Sequence, residues 1–528
     1  MHGAAAVLLA LVTAHAALPE EFDIVIAGGR LIDGTGAPSR IADLGIHSDT
    51  IAAIGDLHAS TARRRIEARG RVVTPGFIDI HSHARWRISG DPSAENYVRQ
   101  GVTSVFDGND GDSPLPLGPF LRQLAASPAA INLGMFAGQG SIRRAVMGDA
   151  DRPATAAERE RMRELVRQAM RDGAFGLSTG LFYVPGNYTP TEELIDLART
   201  AGALGGIYIS HLRDEAAGVL RSVEETIRIG AEARLPVQVT HHKIIGAPNW
   251  GRSRETLALI AQARARGVDV SVDAYPYTAS STSLAAALVP QWALAGGEQA
   301  VRARLNDPAA RERILSAISG RIRNERGGGD PARIVLAHCG FDPRLDGRTL
   351  ASVAAGGDAA AAALDLVRRG DCSAIFHAIA EEDVERILAA PFTMIASDGE
   401  IPAAGGVPHP RSYGTFARIL GVYVREKHLL TLEEAVWKMT SLPAARLGLR
   451  DRGRLVRGAK ADVVVFDPAA VADRATFARP RRFAAGFDDV LVNGRPVILG
   501  GVLTGERPGR VLTRESPAAR THPAAMSE

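Results

Sequence analysis

The middle of the chain repeats one pattern, in which a short apolar run ends in polar residues and is followed by a segment with helical periodicity. Eight such runs lie at residues 72–83, 101–110, 131–140, 174–183, 206–213, 236–243, 269–277 and 392–399. Buried strands that alternate with helices form a parallel sheet. The pattern therefore predicts an α/β fold, a TIM-like (β/α)8 barrel, whose strands all end at one mouth.

Helix signals separate these runs. Apolar side chains recur on one helical face from Met162 to Met170, and Thr155 and Glu158 before them predict a capping box. Residues 189–192, Thr-Pro-Thr-Glu, predict a second capping box with proline at the first helical position. We therefore expect a helix to begin immediately after each capping threonine.

Both ends of the chain carry strand–turn–strand patterns with glycine at the turns. They occupy residues 23–34, 42–55, 460–468 and 488–501. Matching hairpins at opposite ends predict one small β-sandwich built from residues 22–72 and 451–512 together. The catalytic barrel then occupies residues 73–450.

The interval between the last two apolar runs is too long for a single crossover connection, since it extends over residues 278–391. We therefore expect an inserted subdomain before the last barrel strand, at about residues 284–350. A partly helical lid over the barrel mouth is the functional interpretation. A decorative subdomain or an oligomer contact is the alternative.

The charge of the chain argues against a nucleic-acid partner. Lys and Arg number 62 against 59 Asp and Glu, a net charge of +3, and no basic stripe is interleaved with aromatic residues. Cys339 and Cys372 are too few for a disulfide framework or a cysteine-rich zinc site. Beyond the N-terminus no apolar stretch reaches the ~18 residues of a membrane span. These patterns do not predict an oligomeric state.

The N-terminus resembles a secretory signal peptide over residues 1–16. An apolar stretch at 4–12 precedes an A-x-A cleavage pattern at 14–16. An ordinary buried helix is the alternative, but the polar residues 19–21 are more typical of a cleavage junction. We therefore expect a periplasmic or secreted protein. At the other end, the polar residues 513–528 are expected to be disordered.

The first apolar run ends in His81-Ser82-His83. Residues i and i+2 of a strand point to the same face, and a divalent metal suits two neighbouring imidazoles better than a polar turn does. Other runs end in Asp110, His211, His241 and Asp398. Singly, each of the six is more often a core histidine or a capping aspartate. Together at strand ends they predict a site with nitrogen and oxygen ligands, typical of zinc.

Longer motifs resemble the N-acyl-D-amino-acid deacylases, or D-aminoacylases, of the metal-dependent amidohydrolase superfamily. They are PGFIDIHSH (75–83), QGVTSV (100–105), GLSTGLFYVPG (176–186), HLRDE (211–215), THHKIIGAPNWGR (240–252), DAYPYTASST (273–282), ASDG (396–399), HPRSYGTF (409–416), MTSLPAARLGL (439–449) and RGRLVRGAKADVVVFDP (452–468). The resemblance extends from Ile24 to Val497. It implies hydrolysis of a small N-acyl-D-amino acid to a carboxylic acid and a free D-amino acid.

The resemblance also implies the metal ligands. One metal site is lined by His81, His83 and Asp398. His211 and His241 hold the tightly bound zinc, and Asp110 stands where the family has a cysteine. Because a carboxylate is a harder ligand than a thiolate, we expect one tight zinc site and a second, weaker one. His242 lies on the other face of its strand and receives no metal role.

The chemistry of amide hydrolysis suggests roles for the remaining residues. Asp398 is the predicted general base and acid, and its alternative is a purely structural ligand. Tyr183 is the predicted oxyanion donor, and its alternative is a core tyrosine. The residues that match the family's substrate contacts are Tyr183, Lys243, Tyr275, Ser281 and Arg411. Arg411 and Lys243 are expected to bind the substrate α-carboxylate, unless each merely pairs with an acidic neighbour.

Two other functions are compatible with the sequence. One is a different amidohydrolase activity on the same barrel, such as that of a cyclic amidase or a dipeptidase-like enzyme. Cyclic-amide relatives often use a bridging carboxylated lysine, and no lysine ends the third or fourth run. The other is a non-catalytic metal-binding or ligand-binding barrel, against which the intact Asp398 and histidines argue.

Overall fold

The computed structural model describes residues 21–514. The predicted signal peptide and all but the first two residues of the predicted disordered tail lie outside the described residues. Of those two, Arg514 donates its backbone N–H to the carbonyl of Gly173 at 3.2 Å, so the chain still contacts the barrel there. No helix within residues 21–514 is long and apolar enough to cross a membrane.

Twenty-one strands follow one another within the described residues. They are β1 (Glu21–Leu31), β2 (Arg40–His47), β3 (Thr50–Gly55), β4 (Thr61–Glu67), β5 (Val72–Pro75), β6 (Phe77–Asp79), β7 (Val102–Asp107), β8 (Asn132–Met135), β9 (Ala137–Gly138), β10 (Gly176–Gly180), β11 (Ile207–His211), β12 (Val237–Val239), β13 (Val270–Ala274), β14 (Ser280–Ser283), β15 (Ile334–His338), β16 (Ser373–Phe376), β17 (Thr393–Ile395), β18 (Val463–Phe466), β19 (Phe487–Val492), β20 (Arg495–Leu499) and β21 (Val502–Leu503).

Seventeen α-helices lie between them in the same part of the chain. They are α1 (Glu95–Val98), α2 (Leu117–Ala126), α3 (Gln139–Met147), α4 (Ala156–Arg171), α5 (Thr191–Ala203), α6 (Val219–Ala233), α7 (Ser253–Ala265), α8 (Leu284–Leu288), α9 (Gln291–Leu294), α10 (Gly297–Asn306), α11 (Pro308–Arg321), α12 (Leu350–Ala354), α13 (Ala359–Arg369), α14 (Glu381–Ala389), α15 (Arg411–Arg418), α16 (Leu432–Met439) and α17 (Ser441–Leu447). Two π-helical turns, Ile322–Arg326 and Ile419–Glu426, continue α11 and α15.

Eight parallel strands close into a barrel. Their order is β6-β7-β8, then β10-β11-β12-β13-β17, with the two-residue β9 continuing β8 and pairing with β10. A parallel bridge between Ser82 and Gly399 joins the last strand to the first, and the Asp398 N–H donates to the His81 carbonyl at 2.9 Å. The predicted (β/α)8 fold is therefore confirmed, and closure sets the ends of β6 and β17 side by side.

Burial and capping explain why these segments form barrel elements. Every residue of β7, β10, β11, β12 and β13 is buried, as expected for a parallel sheet covered by helices. Helix α4 begins with the predicted capping box of Thr155 and Glu158. The capping box predicted at Thr189 is wrong. Helix α5 has Pro190 as its N-cap residue with no side-chain cap, and the Thr189 hydroxyl instead accepts a hydrogen bond from Gln139.

The strands from the two chain ends form one nine-stranded sheet in the order β21-β20-β19-β18-β5-β1-β2-β3, with β4 pairing with β1. The two ends meet where β5 pairs with β18, Val73 opposite Val465. Strand β1 has β2 on one edge and β4 followed by β5 on the other, so the sheet folds over a shared core. That core contains Ile26, Leu44 and Val463. This is the predicted β domain built from both ends.

The insertion before the last barrel strand has a hydrophobic core of its own, which extends from Leu284 to Phe376. It is thus longer than the predicted 284–350. Strands β14, β16 and β15 form its small sheet, and a disulfide joins Cys339 after β15 to Cys372 before β16. The two cysteines are 33 residues apart, and such a separation does not by itself predict a disulfide.

Candidate metal centre and active site

Two groups of potential metal ligands lie at the mouth of the barrel and share one residue. The first group is His81, His83, Asp110 and Asp398, and the second group is Asp110, His211 and His241. Within each group the ligand atoms lie within 4.8 Å of one another. Asp110 Oδ1 is 3.3 Å from His241 Nε2, 3.4 Å from His211 Nδ1 and 3.6 Å from His81 Nε2. The structure therefore brings all six predicted ligands together around the Asp110 carboxylate.

Three of these ligands follow their strands through unusual backbone turns. Asp110, His241 and Asp398 have φ angles of 55°, 33° and 49°, in the left-handed region that non-glycine residues seldom occupy. Such backbone strain clusters at functional sites, where the surrounding structure holds it in place. The turn at Asp110 also requires Gly180, because a Cβ atom there would collide with the Asp110 carbonyl.

The donor atoms of the two groups fit a metal ion. Among the described residues, buried His81 Nε2 and Asp110 Oδ1 have no hydrogen-bond partner. His211 Nδ1 and His241 Nε2 lie 2.8 Å apart, a separation at which two nitrogen lone pairs need a proton or a cation between them. Unpaired buried polar atoms are costly, and imidazole and carboxylate ligands without a thiolate suit zinc.

Two buried carboxylates that the sequence analysis did not single out support the histidines. Asp273 accepts the backbone N–H of His241 at 2.7 Å and lies 3.6 Å from His81 Nδ1. Glu215 Oε1 lies 3.3 Å from His241 Nδ1 and 2.6 Å from the Lys243 ammonium. Burial alone would raise the pKa of Glu215, but Lys243 holds that pKa well below its usual range. Glu215 lies four residues after His211 in the HLRDE motif, and this proximity is the sequence signal that could have identified it.

The predicted general base Asp398 is paired with the predicted carboxylate clamp. Arg411 Nη1 lies 2.7 Å from Asp398 Oδ2, and His83 Nε2 lies 3.1 Å from Asp398 Oδ1. Burial alone would raise the pKa of Asp398, but the Arg411 guanidinium holds that pKa far below its ordinary value. The Arg411 guanidinium also lies over the ring of Tyr275, 4.9 Å from its centroid. Both predicted cations thus have acidic partners, Arg411 in Asp398 and Lys243 in Glu215.

The ligand groups face a cavity of about 560 Å³. It is lined by all the predicted substrate contacts, Tyr183, Lys243, Tyr275, Ser281 and Arg411. The hydroxyl of Tyr183 lies 3.2 Å from that of Thr282, and burial raises the pKa of the Tyr183 phenol, so it remains a hydrogen-bond donor. The buried hydroxyl of Tyr275 has no hydrogen-bond partner in the described part of the chain.

His242 lies outside both ligand groups. Its Nε2 is 2.8 Å from the Thr256 hydroxyl, and burial together with the nearby Lys243 lowers its pKa to about 4. The cavity has another basic residue that sequence reasoning missed, Arg326 of the insertion. No motif around it predicted this position, because only the packing of the insertion brings it to the barrel mouth.

A (β/α)8 barrel that presents histidine and aspartate ligands at its strand ends, around a cavity with buried cations, defines the class of metal-dependent barrel hydrolases. The chain matches the amidohydrolase family over residues 64–498 and belongs to that family.

The chain is similar to proteins of known activity over nearly its whole length. It is 43% identical to a D-aminoacylase of Alcaligenes xylosoxydans xylosoxydans, over 94% of this chain and 98% of that protein. A solved structure of D-aminoacylase, studied for its binuclear metal centre, matches with a TM-score of 0.81 at 42% identity and covers 93% of this chain and 100% of its own. The N-acyl-D-glutamate deacylase of Bordetella bronchiseptica, solved with zinc and a phosphonate inhibitor, matches with a TM-score of 0.81 at 39% identity. The match covers 94% of this chain and 100% of that chain.

Proposed function

We propose that this protein is a zinc-dependent deacylase that hydrolyses the amide bond of N-acyl-D-amino acids to a carboxylic acid and a free D-amino acid. The observation that carries the proposal is the ion pair of Asp398 and Arg411 beside the ligand groups, which places a proton acceptor and a carboxylate-binding cation 2.7 Å apart. The near full-length similarity to D-aminoacylase and to N-acyl-D-glutamate deacylase supports this substrate class.

The residues of the two ligand groups would hold the metal. His211, His241 and Asp110 would form the tighter site, and His81, His83, Asp398 and the same Asp110 would form the other. When bound, zinc supplies a Lewis acid that activates the water nucleophile and polarises the amide carbonyl.

Asp398 moves the proton. The Arg411 guanidinium keeps the Asp398 carboxylate ionised, and Oδ1, the oxygen that does not face Arg411, would accept the proton of the attacking water. The same carboxyl group then protonates the departing amine nitrogen, which cannot leave as an anion. His83, 3.1 Å from Asp398 Oδ1, holds the carboxylate in position for both transfers.

The other cavity residues bind and orient the substrate. The protonated phenol of Tyr183 donates a hydrogen bond to the carbonyl oxygen as negative charge develops there. Arg411 uses one side of its fork for Asp398, and the remaining N–H groups bind the substrate α-carboxylate. Tyr275, whose hydroxyl has no hydrogen-bond partner within residues 21–514, and Ser281 in β14 also line the cavity and would complete this contact.

A paired assay tests the proposal. Purified protein is stripped with a chelator, reloaded with zinc, and offered N-acetyl-D- and N-acetyl-L-amino acids. We expect hydrolysis of the D substrates only, lost on stripping and restored by zinc. In Asp398→Asn, turnover should collapse while zinc remains in the second group. Failure of the zinc-loaded protein to hydrolyse any N-acyl-D-amino acid would overturn the proposal.

We further propose that the protein is exported to the periplasm or the medium. The signal-like N-terminus supports this, and so does the disulfide between Cys339 and Cys372, because disulfides persist mainly in oxidising compartments. Cell fractionation and N-terminal sequencing test it. We expect mature protein outside the cytoplasm that begins at Ala17. Protein retained in the cytoplasm with an intact N-terminus would contradict the proposal.

A further inference from the structure

One exposed apolar side chain faces the cavity of the ligand groups. Six large apolar side chains are exposed within residues 21–514, namely Ile41, Trp86, Trp250, Val456, Phe483 and Val502. Among these six, only Trp86 lines the cavity, and at 56% it is the most exposed of the three aromatic members. A single apolar residue on an outer surface needs no explanation, but an exposed aromatic ring in a substrate cavity is available to bind a ligand.

Neighbouring residues hold the ring of Trp86 in place. It ends the 3-10 turn Ala84–Trp86, and it stacks on the His83 imidazole at 5.1 Å with an angle of 20° between the ring planes. The Arg85 guanidinium lies 5.3 Å from the centroid of the Trp86 ring. Buried Asp107 fixes Arg85, because it accepts the backbone N–H at 2.8 Å and lies 2.9 Å from Nε. A ring that is already held in place loses little conformational entropy when it binds a ligand.

The α-carboxylate contacts form a cluster that is separate from Trp86. The cations of Lys243 and Arg411 both lie over the ring of Tyr275, 5.6 and 4.9 Å from its centroid. These three residues follow the last three barrel strands, β12, β13 and β17. Trp86 follows the first barrel strand, β6, and its ring contacts are with His83 and Arg85 instead.

The geometry of an amide decides which part of the substrate reaches Trp86. In a trans amide the acyl substituent and the α carbon lie on opposite sides of the C–N bond. With the α-carboxylate at Arg411 and Lys243, the amino-acid side chain branches from a carbon beside that cluster. The acyl group extends away from the cluster, past the ligand groups, toward Trp86.

The cavity has room for more than an acetyl group. Its volume is about 560 Å³, within the ~300–1,000 Å³ that is typical of sites for drug-sized ligands. Val184, Val407 and Pro408 add apolar surface to the same cavity. A bulky apolar acyl group can therefore be removed from water there.

We propose that Trp86 forms an acyl-group subsite, so that the preferred substrates carry a planar aromatic acyl group such as phenylacetyl in place of acetyl. This inference rests on the proposed deacylase function and specifies the acyl half of its substrate. The preference comes from the stacking of two aromatic rings and from the apolar area that both remove from water. An acetyl group is too short to cover the indole and gains neither contribution.

Substrates that differ only in the acyl group test the proposal on the zinc-loaded full chain. They are the N-acetyl, N-cyclohexylacetyl and N-phenylacetyl derivatives of the D-amino acid whose N-acetyl derivative is hydrolysed fastest. We expect kcat/KM to rise by roughly 10-fold or more from acetyl to phenylacetyl, mainly through a lower KM, with cyclohexylacetyl between them. No gain from acetyl to phenylacetyl, with the N-acetyl substrate hydrolysed well, would overturn this inference and leave the deacylase proposal standing.

Variants at Trp86 locate the preference. Trp86→Ala should remove most of the phenylacetyl preference, and Trp86→Phe should retain most of it. The readout is the ratio of kcat/KM for the phenylacetyl and acetyl substrates, because this ratio cancels any change common to both. Trp250→Ala, at an exposed tryptophan outside the cavity, is the matched control and should keep the wild-type ratio. Zinc content and Tm are measured for each variant, and Trp86→Leu replaces the alanine variant if that one folds poorly.

A second substrate pair separates the acyl group from the side chain as the source of the ring. N-acetyl-D-phenylalanine against N-acetyl-D-alanine places the ring on the side chain, and Trp86→Ala should leave the ratio of this pair unchanged. A fall in this ratio, with an unchanged acyl ratio, would place the side chain at Trp86 and overturn the inference. Equal losses on all substrates together with lost zinc would show that Trp86 only supports His83. Absence of activity on every N-acyl-D-amino acid in the wild type would instead refute the proposed function itself.

Discussion

The two ligand groups share Asp110 but differ in what surrounds them. In the second group, His241 is held by Asp273 at its backbone and by the buried pair of Glu215 and Lys243 at its ring. In the first group, Asp398 is tied to Arg411 of the substrate cavity. His83 stacks at 5.1 Å on Trp86, which is 56% exposed. For the proposed deacylase we expect a corresponding division of labour, in which the second group fixes the metal and the first group connects it to the substrate and to the proton transfer.

The protonation of the histidines differs between the groups in degree: His81 and His83 of the first group both have raised pKa values, whereas in the second group the Asp110 carboxylate raises the pKa of His241 alone. Burial lowers the pKa of His211, so its imidazole is neutral and ready to bind a metal at neutral pH. Burial would also lower the pKa of His83, but the carboxylates of Asp110 and Asp398 raise it to about 9. A metal ion that enters the first group must therefore displace a proton, which weakens that site.

The largest expected effect comes from breaking the second group. His241→Ala should lose the tight zinc and reduce kcat/KM by more than ~100-fold, because even changes behind the ligands cost ~10–100-fold. Zinc content after dialysis and hydrolysis of N-acetyl-D-amino acids are measured together. His242→Gln, at the neighbouring buried histidine outside both groups, is the control and should keep its zinc. Retention of zinc by the His241 variant would refute the expectation that the second group fixes the metal.

Removing the link between the first group and the substrate should have the next largest effect. Arg411→Ala should raise KM steeply, by the equivalent of roughly 2–5 kcal/mol, with zinc in the second group retained. The pKa of Asp398 should rise once the cation is gone, so activity should be lost at a higher pH as the solution is acidified. Esterification of the substrate α-carboxylate should lower kcat/KM of the wild type far more than kcat/KM of the variant. An equal decrease in both enzymes would show that Arg411 does not bind that carboxylate.

The pH dependence of metal uptake should separate the two groups without any mutation. Because the pKa of His83 is about 9, occupancy of the first group should fall as pH drops below that value. The second group should keep its zinc to lower pH, since only His241 in it has a raised pKa and burial keeps His211 neutral. Equilibrium dialysis from pH 9 to 6, with metal analysis, measures both. Parallel loss of both equivalents would contradict the difference in protonation.

The smallest effect is expected when the shared residue is exchanged for another metal ligand. Asp110→Cys should tighten zinc in the second group, because a thiolate is a softer ligand, without strengthening the first group. Asp110→Asn keeps the shape and removes the charge, so it should weaken both groups and serves as the comparison. Competition with a chelator gives both affinities. A cysteine variant with weaker zinc binding than the wild type would argue that Asp110 is not a ligand of the second group.

The periodicity of the sequence determined the barrel and the neighbourhood of its ligands. A buried strand has a side-chain period of two, and parallel barrel strands all end at one mouth. Polar residues that follow such strands, from His81 to Asp398, therefore lie close together, whatever the lengths and sequences of the intervening helices. The matching hairpins at both ends predicted the β domain for a similar reason, since each exposes an apolar face that needs a partner.

Only the tertiary structure decided how the charges at that mouth are paired. Asp398 after β17 pairs with Arg411 at the start of α15, and Glu215 reaches Lys243 from a neighbouring strand end. The position of Asp110 between two ligand groups depends on a left-handed backbone turn that no pattern predicts. Arg326 reaches the cavity from an insertion that has its own hydrophobic core and is cross-linked by a disulfide. Local patterns constrain residues a few positions apart, whereas these contacts depend on barrel closure and on the packing of distant segments.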